Sequence, residues 1–168
     1  IALSLSVLYV TADNPQVELF TRTVSSLTTG WHYAAAEIDE KGGLGSVLRA
    51  WPDFMVTFKE RASHVSVSPP GIPVVYYILN KFFGLFPSLS NWLAQPLRIE
   101  QCQNIHLMYY SDAEIASAWA GILLPLWAAF TVFPLYSFGK HHFSQRAANL
   151  SGIWWPVVPS VLMFMPHP

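Results

Sequence analysis

All ten acidic residues of this chain lie between Asp13 and Glu114, and none follows Glu114 in a sequence of 168 residues. Beyond that point the only Lys and Arg residues are Lys140 and Arg146, which share one short break between apolar stretches. A chain that folds in water spreads charge over its whole surface, so charge confined to one block marks a boundary between two solvents. The pattern predicts a membrane. It also sends the search for chemistry to residues 11–114.

The sequence is 52% hydrophobic and 11% charged, against about 25% charged in soluble domains. A net charge of -1 with no basic run argues against a nucleic-acid partner. The single cysteine, Cys102, excludes an internal disulfide framework and a cysteine-based zinc site.

A spanning helix needs about 20 mostly apolar residues. Ile115–Phe138 and Ala147–Met165 carry no formal charge and meet that length. Ile1–Val10 lacks a basic leader region and reads as the end of an earlier span, so the chain is expected to be one domain truncated at both ends. Residues 139–146 connect the two spans, and the positive-inside rule puts Lys140 and Arg146 in the cytoplasm. Residues 11–114 are then extracytoplasmic. The expected fold is all-α: a polytopic, multi-pass integral membrane protein of a bacterial plasma membrane, with a large first outer loop containing amphipathic juxtamembrane helices.

Within that loop, Pro15–Leu27 places Val17, Phe20 and Val24 on one side of a short helix. Residues 44, 47, 48, 51, 54, 55 and 58 are apolar, which predicts one amphipathic helix over Leu44–Phe58 resting on the membrane surface. His64-Val-Ser-Val-Ser68-Pro69-Pro70-Gly71 predicts a rigid, non-helical corner. Ile72–Ala94 is apolar but holds Lys81 near its centre and Pro87 beyond it. A mid-bilayer charge costs about 2.5–3.5 kcal/mol, so Pro73 to Phe86 reads as an interfacial helix with Lys81 snorkelling; the alternative is a true span over 72–94, which would turn Lys140 and Arg146 outward. Ser111-Asp112-Ala-Glu114 marks a helix start. No phosphate-binding glycine loop, zinc-protease or serine-hydrolase motif is present.

The outward helix, the acidic loop, the Pro-Pro corner, the aromatic interfacial helix and the basic cytoplasmic turn together resemble the GT-C membrane glycosyltransferases, in the branch of protein mannosyltransferases and aminoarabinose transferases. In many bacterial relatives the corner reads His-x-x-x-His-Pro-Pro-Gly. Here His64 matches the first histidine and Ser68 stands in place of the second. The resemblance implies a polyprenyl-phosphate sugar donor, transfer on the extracytoplasmic side, and an acceptor hydroxyl on a glycan, lipid or protein.

Such chemistry needs a carboxylate base about 3 Å from the acceptor hydroxyl. The leaving phosphate needs cations, hydrogen-bond donors or a divalent cation. By resemblance the base lies in the first outer loop. Glu37, four residues after Tyr33, is the first candidate, Asp39 the second and Glu40 the third. His64, Ser68, Arg49 and Arg61 are candidates for the donor phosphate, and Pro69, Pro70 and Gly71 form the structural corner. A metal ligand set is not legible. The alternative reading is a non-enzymatic transporter or flippase, which would place its ionisable groups inside the spans. The spans here contain none.

Overall fold

Short helices joined by tight turns run through the residues that the computed structural model describes, which are residue 10 and residues 13–62, 64–102, 104–122 and 130–155. Among them there is no strand, as expected of an all-α chain. Contacts divide the chain into two units, residues 16–122 and a second unit formed by the two ends.

The larger unit starts with α1 (Pro15–Val24), which buries Leu19, Phe20 and Val24. Helix α2 (Trp31–Glu37) follows a left-handed Gly30 at φ 68°. A Cβ at Gly30 would lie 2.4 Å from that of Ala62, so both its backbone angle and its surroundings require glycine.

The apolar series from Leu44 to Phe58 forms two helices rather than the expected one. Helix α3 (Leu44–Arg49) ends and α4 (Trp51–Val56) begins around Ala50, at φ −114°, ψ 35°. Pro52 explains the break, because it has no N–H to continue the ladder and its ring crowds the preceding turn. Val47, Trp51, Phe54 and Phe58 pack on Ala34, Ile38, Ala62 and Val65. The face expected to rest on a membrane is therefore largely used as core by the unit itself.

The corner also differs from expectation. Val65–Val67 make one 3₁₀ turn, and Ser68 is extended at φ −101°, ψ 145°. Pro70 then leads into α5 (Gly71–Leu85), a helix at nearly the bounds expected for Pro73 to Phe86. Helix α6 (Pro87–Arg98) follows at a bend of 112°. Proline disfavours helical backbone in the residue before it, and Phe86 accordingly sits at φ −124°, ψ 71°. Ser90 Oγ lies 2.5 and 3.1 Å from the Phe83 and Phe86 carbonyls, to which it donates, adding a side-chain tie across the bend.

After α7 (Ile105–Tyr109), α8 (Asp112–Ile122) packs against both α5 and α6. Phe20, Val24, Ala94, Leu97, Leu107, Ile115 and Ala118 form a second buried cluster. The start of α8 is a capping box: Ser111 Oγ accepts from Glu114 N at 3.3 Å, and Glu114 Oε2 accepts from Ser111 N at 2.7 Å. Ser111→Ala is expected to cost about 1 kcal/mol of stability, read as a lowered unfolding midpoint.

In the second unit, α9 (Val132–His142) and α10 (Gln145–Trp154) pack as a helical hairpin across Phe143 and Ser144. Gly139 permits the close approach, since an added Cβ would lie 3.1 Å from Ala148 Cα. Ser144 Oγ caps α10 by accepting from Ala147 N at 3.2 Å. Lys140 and Arg146 are exposed beside this turn.

Among the described residues no single helix is long and apolar enough to cross a membrane, although α5 and α6 pass that test as a bent pair. The expected span 115–138 corresponds to parts of α8 and α9, with residues 123–129 outside the described residues. The span 147–165 is described only as far as Trp155, and nearly all of Ile1–Val10 lies outside.

Candidate functional site

The end of α2 and the turn after it carry the first two base candidates. That turn closes through Gly43 N donating to Ile38 O at 2.9 Å, with Gly42 and Gly43 at φ 90° and 84°. Ile38 is fully buried. Glu37 and Asp39 flank it and reach different partners, as residues two apart on a helix do.

Glu37 meets Arg61. Arg61 Nη1 donates to Glu37 Oε1 at 3.0 Å and Nη2 reaches Oε2 at 3.5 Å. Nη1 also donates to Tyr33 Oη at 3.0 Å, and Nη2 to Thr57 O at 3.4 Å. The guanidinium carbon lies 5.4 Å from the Phe58 ring centroid and 5.9 Å from that of Tyr33. The Glu37 side chain is 14% exposed and that of Arg61 48%. Burial, followed by the Glu37 carboxylate, raises the Tyr33 phenol, so it stays protonated. The base candidate and a phosphate candidate of the sequence reading thus form one ion pair.

Asp39 meets two residues of α5. Tyr77 Oη donates to Asp39 Oδ1 at 2.8 Å, and Lys81 Nζ donates to Oδ2 at 2.5 Å. Lys81, read as a snorkelling cation, pairs with Asp39. Its hydrogen bond, then that of Tyr77, holds the Asp39 carboxyl below its ordinary range. The same contact with Asp39 raises the Lys81 ammonium and the Tyr77 phenol. A carboxylate held low is a weaker proton acceptor, which counts against Asp39 as a base. Glu40 is exposed.

The remaining candidates are spread out. Arg49 Nε donates to Gly45 O, one turn earlier in α3. His64 is exposed and accepts a hydrogen bond from Ser68 Oγ at its carbonyl, 2.5 Å away. Ser68 also accepts from two indoles, Trp31 Nε1 at Oγ (3.4 Å) and Trp51 Nε1 at its carbonyl (3.1 Å). Its hydroxyl thus ties the corner to α2 and its carbonyl ties it to α4. Pro69, Pro70 and Gly71 carry the chain from that tie into α5, with Val74 N donating to Pro70 O at 3.0 Å. An added Cβ at Gly71 would meet nothing within 4 Å. Among the described residues, no three His, Cys, Asp or Glu side chains are grouped to hold a metal ion.

Sequence reasoning missed His32. It is fully buried and stands edge-on to Tyr76 and Tyr110, with ring centroids 5.3 and 5.5 Å away. Ser117 Oγ donates to Glu114 O at 2.8 Å. His32 Nε2 lies 2.8 Å from Ser117 Oγ and 3.2 Å from Glu114 O. With the hydroxyl proton committed, Nε2 must carry the proton and donate. Nδ1 is then a bare acceptor, and among the described residues it has no hydrogen-bond partner. Burial lowers the imidazole to about 4, so it is neutral near pH 7. No spacing signal could have found it, because its partners on α8 lie more than 80 positions away.

Set against family models, curated proteins and solved structures, the chain finds no match.

Proposed function

We propose that this chain belongs to a multi-pass integral membrane glycosyltransferase of GT-C type, which moves a sugar from a polyprenyl-phosphate donor to an acceptor hydroxyl on the extracytoplasmic side. The observation that carries this reading is Glu37. It is a mostly buried carboxylate on a short packed helix, oriented by Arg61 beside a protonated tyrosine. Arg61 binds Oε1 at 3.0 Å and Oε2 only at 3.5 Å, which leaves Oε2 the better proton acceptor.

In the reaction, Oε2 of Glu37 takes the acceptor hydroxyl proton while the hydroxyl oxygen attacks the anomeric carbon. The bond from that carbon to the phosphate oxygen breaks, and its electron pair leaves with the polyprenyl phosphate. Direct displacement inverts the anomeric centre. Arg61 holds the carboxylate in place and provides positive charge near the reacting group.

The membrane placement draws support from two exposed surfaces. The hairpin α9–α10 presents Phe133, Phe138, Leu150, Ile153 and Trp154 outward, with Lys140 and Arg146 at the helix ends that flank its turn. Helix α5 presents Val75, Ile78, Phe82 and Leu85 outward. The reading puts residues 11–114 outside the cell and the hairpin turn in the cytoplasm.

The test is release of polyprenyl phosphate from labelled polyprenyl-phosphate sugars by the full-length protein in vesicles. Turnover of at least one pentose or hexose donor is expected, and no turnover of any would sink the reading. Sidedness is read separately in a Cys102→Ser background, because Cys102 is exposed. Ser66→Cys should label from outside and Ser144→Cys should not.

A further inference from the structure

From Arg61 to Glu100 the sequence offers only Lys81 and Arg98 as further Lys or Arg residues, and no acid until Glu100 itself. Arg98 is fully engaged: its guanidinium donates to Asp112 Oδ1 at 3.0 and 2.8 Å, to Tyr110 O at 2.7 Å and to Leu107 O. Lys81 is different. Its side chain is 56% exposed and its carboxylate partner, Asp39, is 54% exposed. An exposed pair of this kind contributes little and exchanges readily.

The helix around Lys81 is apolar on two opposed faces. Pro73 and Tyr76 are buried against the unit. Val75, Ile78, Phe82 and Leu85, spaced three and four apart, form an exposed strip on another side. Lys81 lies three residues after Ile78 and four before Leu85, so its ammonium borders that strip, with the Tyr77 hydroxyl one turn away. A cation and a phenol at the edge of an apolar strip match an amphiphile with an anionic head and a hydrocarbon chain.

We infer that Lys81 and Tyr77 bind the phosphate of the polyprenyl carrier, with its chain along Ile78, Phe82 and Leu85, and that Asp39 is the counter-ion the phosphate displaces. This rests on the lipid-linked donor reading. The donor is a phosphodiester and the leaving carrier a phosphomonoester, so negative charge on the phosphate grows as the glycosidic bond to it breaks. Lys81 and Tyr77 donate where that charge develops. Tyr77 already donates to an anionic oxygen at 2.8 Å, and the phosphate takes over that role.

The test is binding of a labelled polyprenyl phosphate, without sugar, to the full-length protein in phosphatidylcholine nanodiscs. Lys81→Gln should weaken binding at least tenfold, and Lys81→Arg should retain most of it. Asp39→Asn, which frees the ammonium, should tighten it severalfold. Ile78→Ser with Phe82→Ser should weaken it, and Arg22→Gln on α1 should leave it unchanged. Excess inorganic phosphate or phosphatidylglycerol should not compete. Wild-type affinity in Lys81→Gln, no tightening in Asp39→Asn, or equal competition by phosphatidylglycerol overturns this site while the donor reading stands. No binding by the wild-type protein overturns both.

Discussion

Replacing Glu37 by Gln is expected to lower the rate of sugar transfer by about 10²–10⁴-fold, the contribution of a positioned general base. Gln keeps the length and shape of the side chain and can still accept from Arg61, but it has no basic carboxylate oxygen. Stability should change little. The Arg61 side chain is 48% exposed, and a solvent-screened pair contributes at most about 1 kcal/mol. Loss of rate without loss of fold separates a catalytic carboxylate from a structural one. Asp39→Asn is expected to keep transfer within about tenfold of wild type, because Lys81 and Tyr77 already hold that carboxyl low. Comparable rates in Glu37→Gln and wild type, or a larger loss in Asp39→Asn, would assign the base elsewhere.

Acidification is expected to destabilise the larger unit through His32. Its imidazole has an ordinary value of 6.5 and is lowered to about 4 by burial. Between these values the unfolded chain binds the proton and the folded chain does not, so stability rises with pH. The contribution is fully present above about pH 6.5 and is lost as the pH falls toward 4. It amounts to about 3 kcal/mol for a shift of this size. Protonation would put a second N–H on the ring, at the Nδ1 atom that has no partner among the described residues. The measurement is the thermal unfolding midpoint from pH 7.5 to 4. His32→Leu should flatten the profile in that window, since Ser117 keeps its own bond to Glu114 O. Carboxyls held low by their partners, Asp39 and Asp112, lose their contributions only at more acidic pH. An unchanged slope in His32→Leu would place the acid sensitivity in other groups.

The sequence alone could determine what neighbouring residues decide. Helical character follows from apolar spacing, as in α1, where Phe20 and Val24 are buried as read. The start of α8 follows from Ser111 and Glu114, which satisfy each other's backbone groups three residues apart. The break before Pro87 follows from the geometry of proline and the residue before it. Local rules also explain one misreading: Pro52 divides Leu44–Phe58 in two, although the apolar period runs unbroken through it. Which solvent an apolar face meets is not a local property. The face read as membrane-bound largely packs on Ala34, Ile38, Ala62 and Val65.

Tertiary structure alone decided the site. Glu37 meets Arg61 across 24 positions, and Asp39 meets Tyr77 and Lys81 across 38 and 42. Sequence singled out Glu37, Asp39 and Arg61 by residue type but could not pair them, and it read Lys81 as a snorkelling cation. His32 carried no signal at all. An ion pair or a buried imidazole depends on where packed helices bring distant side chains together. Periodicity and capping are set within a few residues, whereas that placement is set by the packing of α2, α5 and α8.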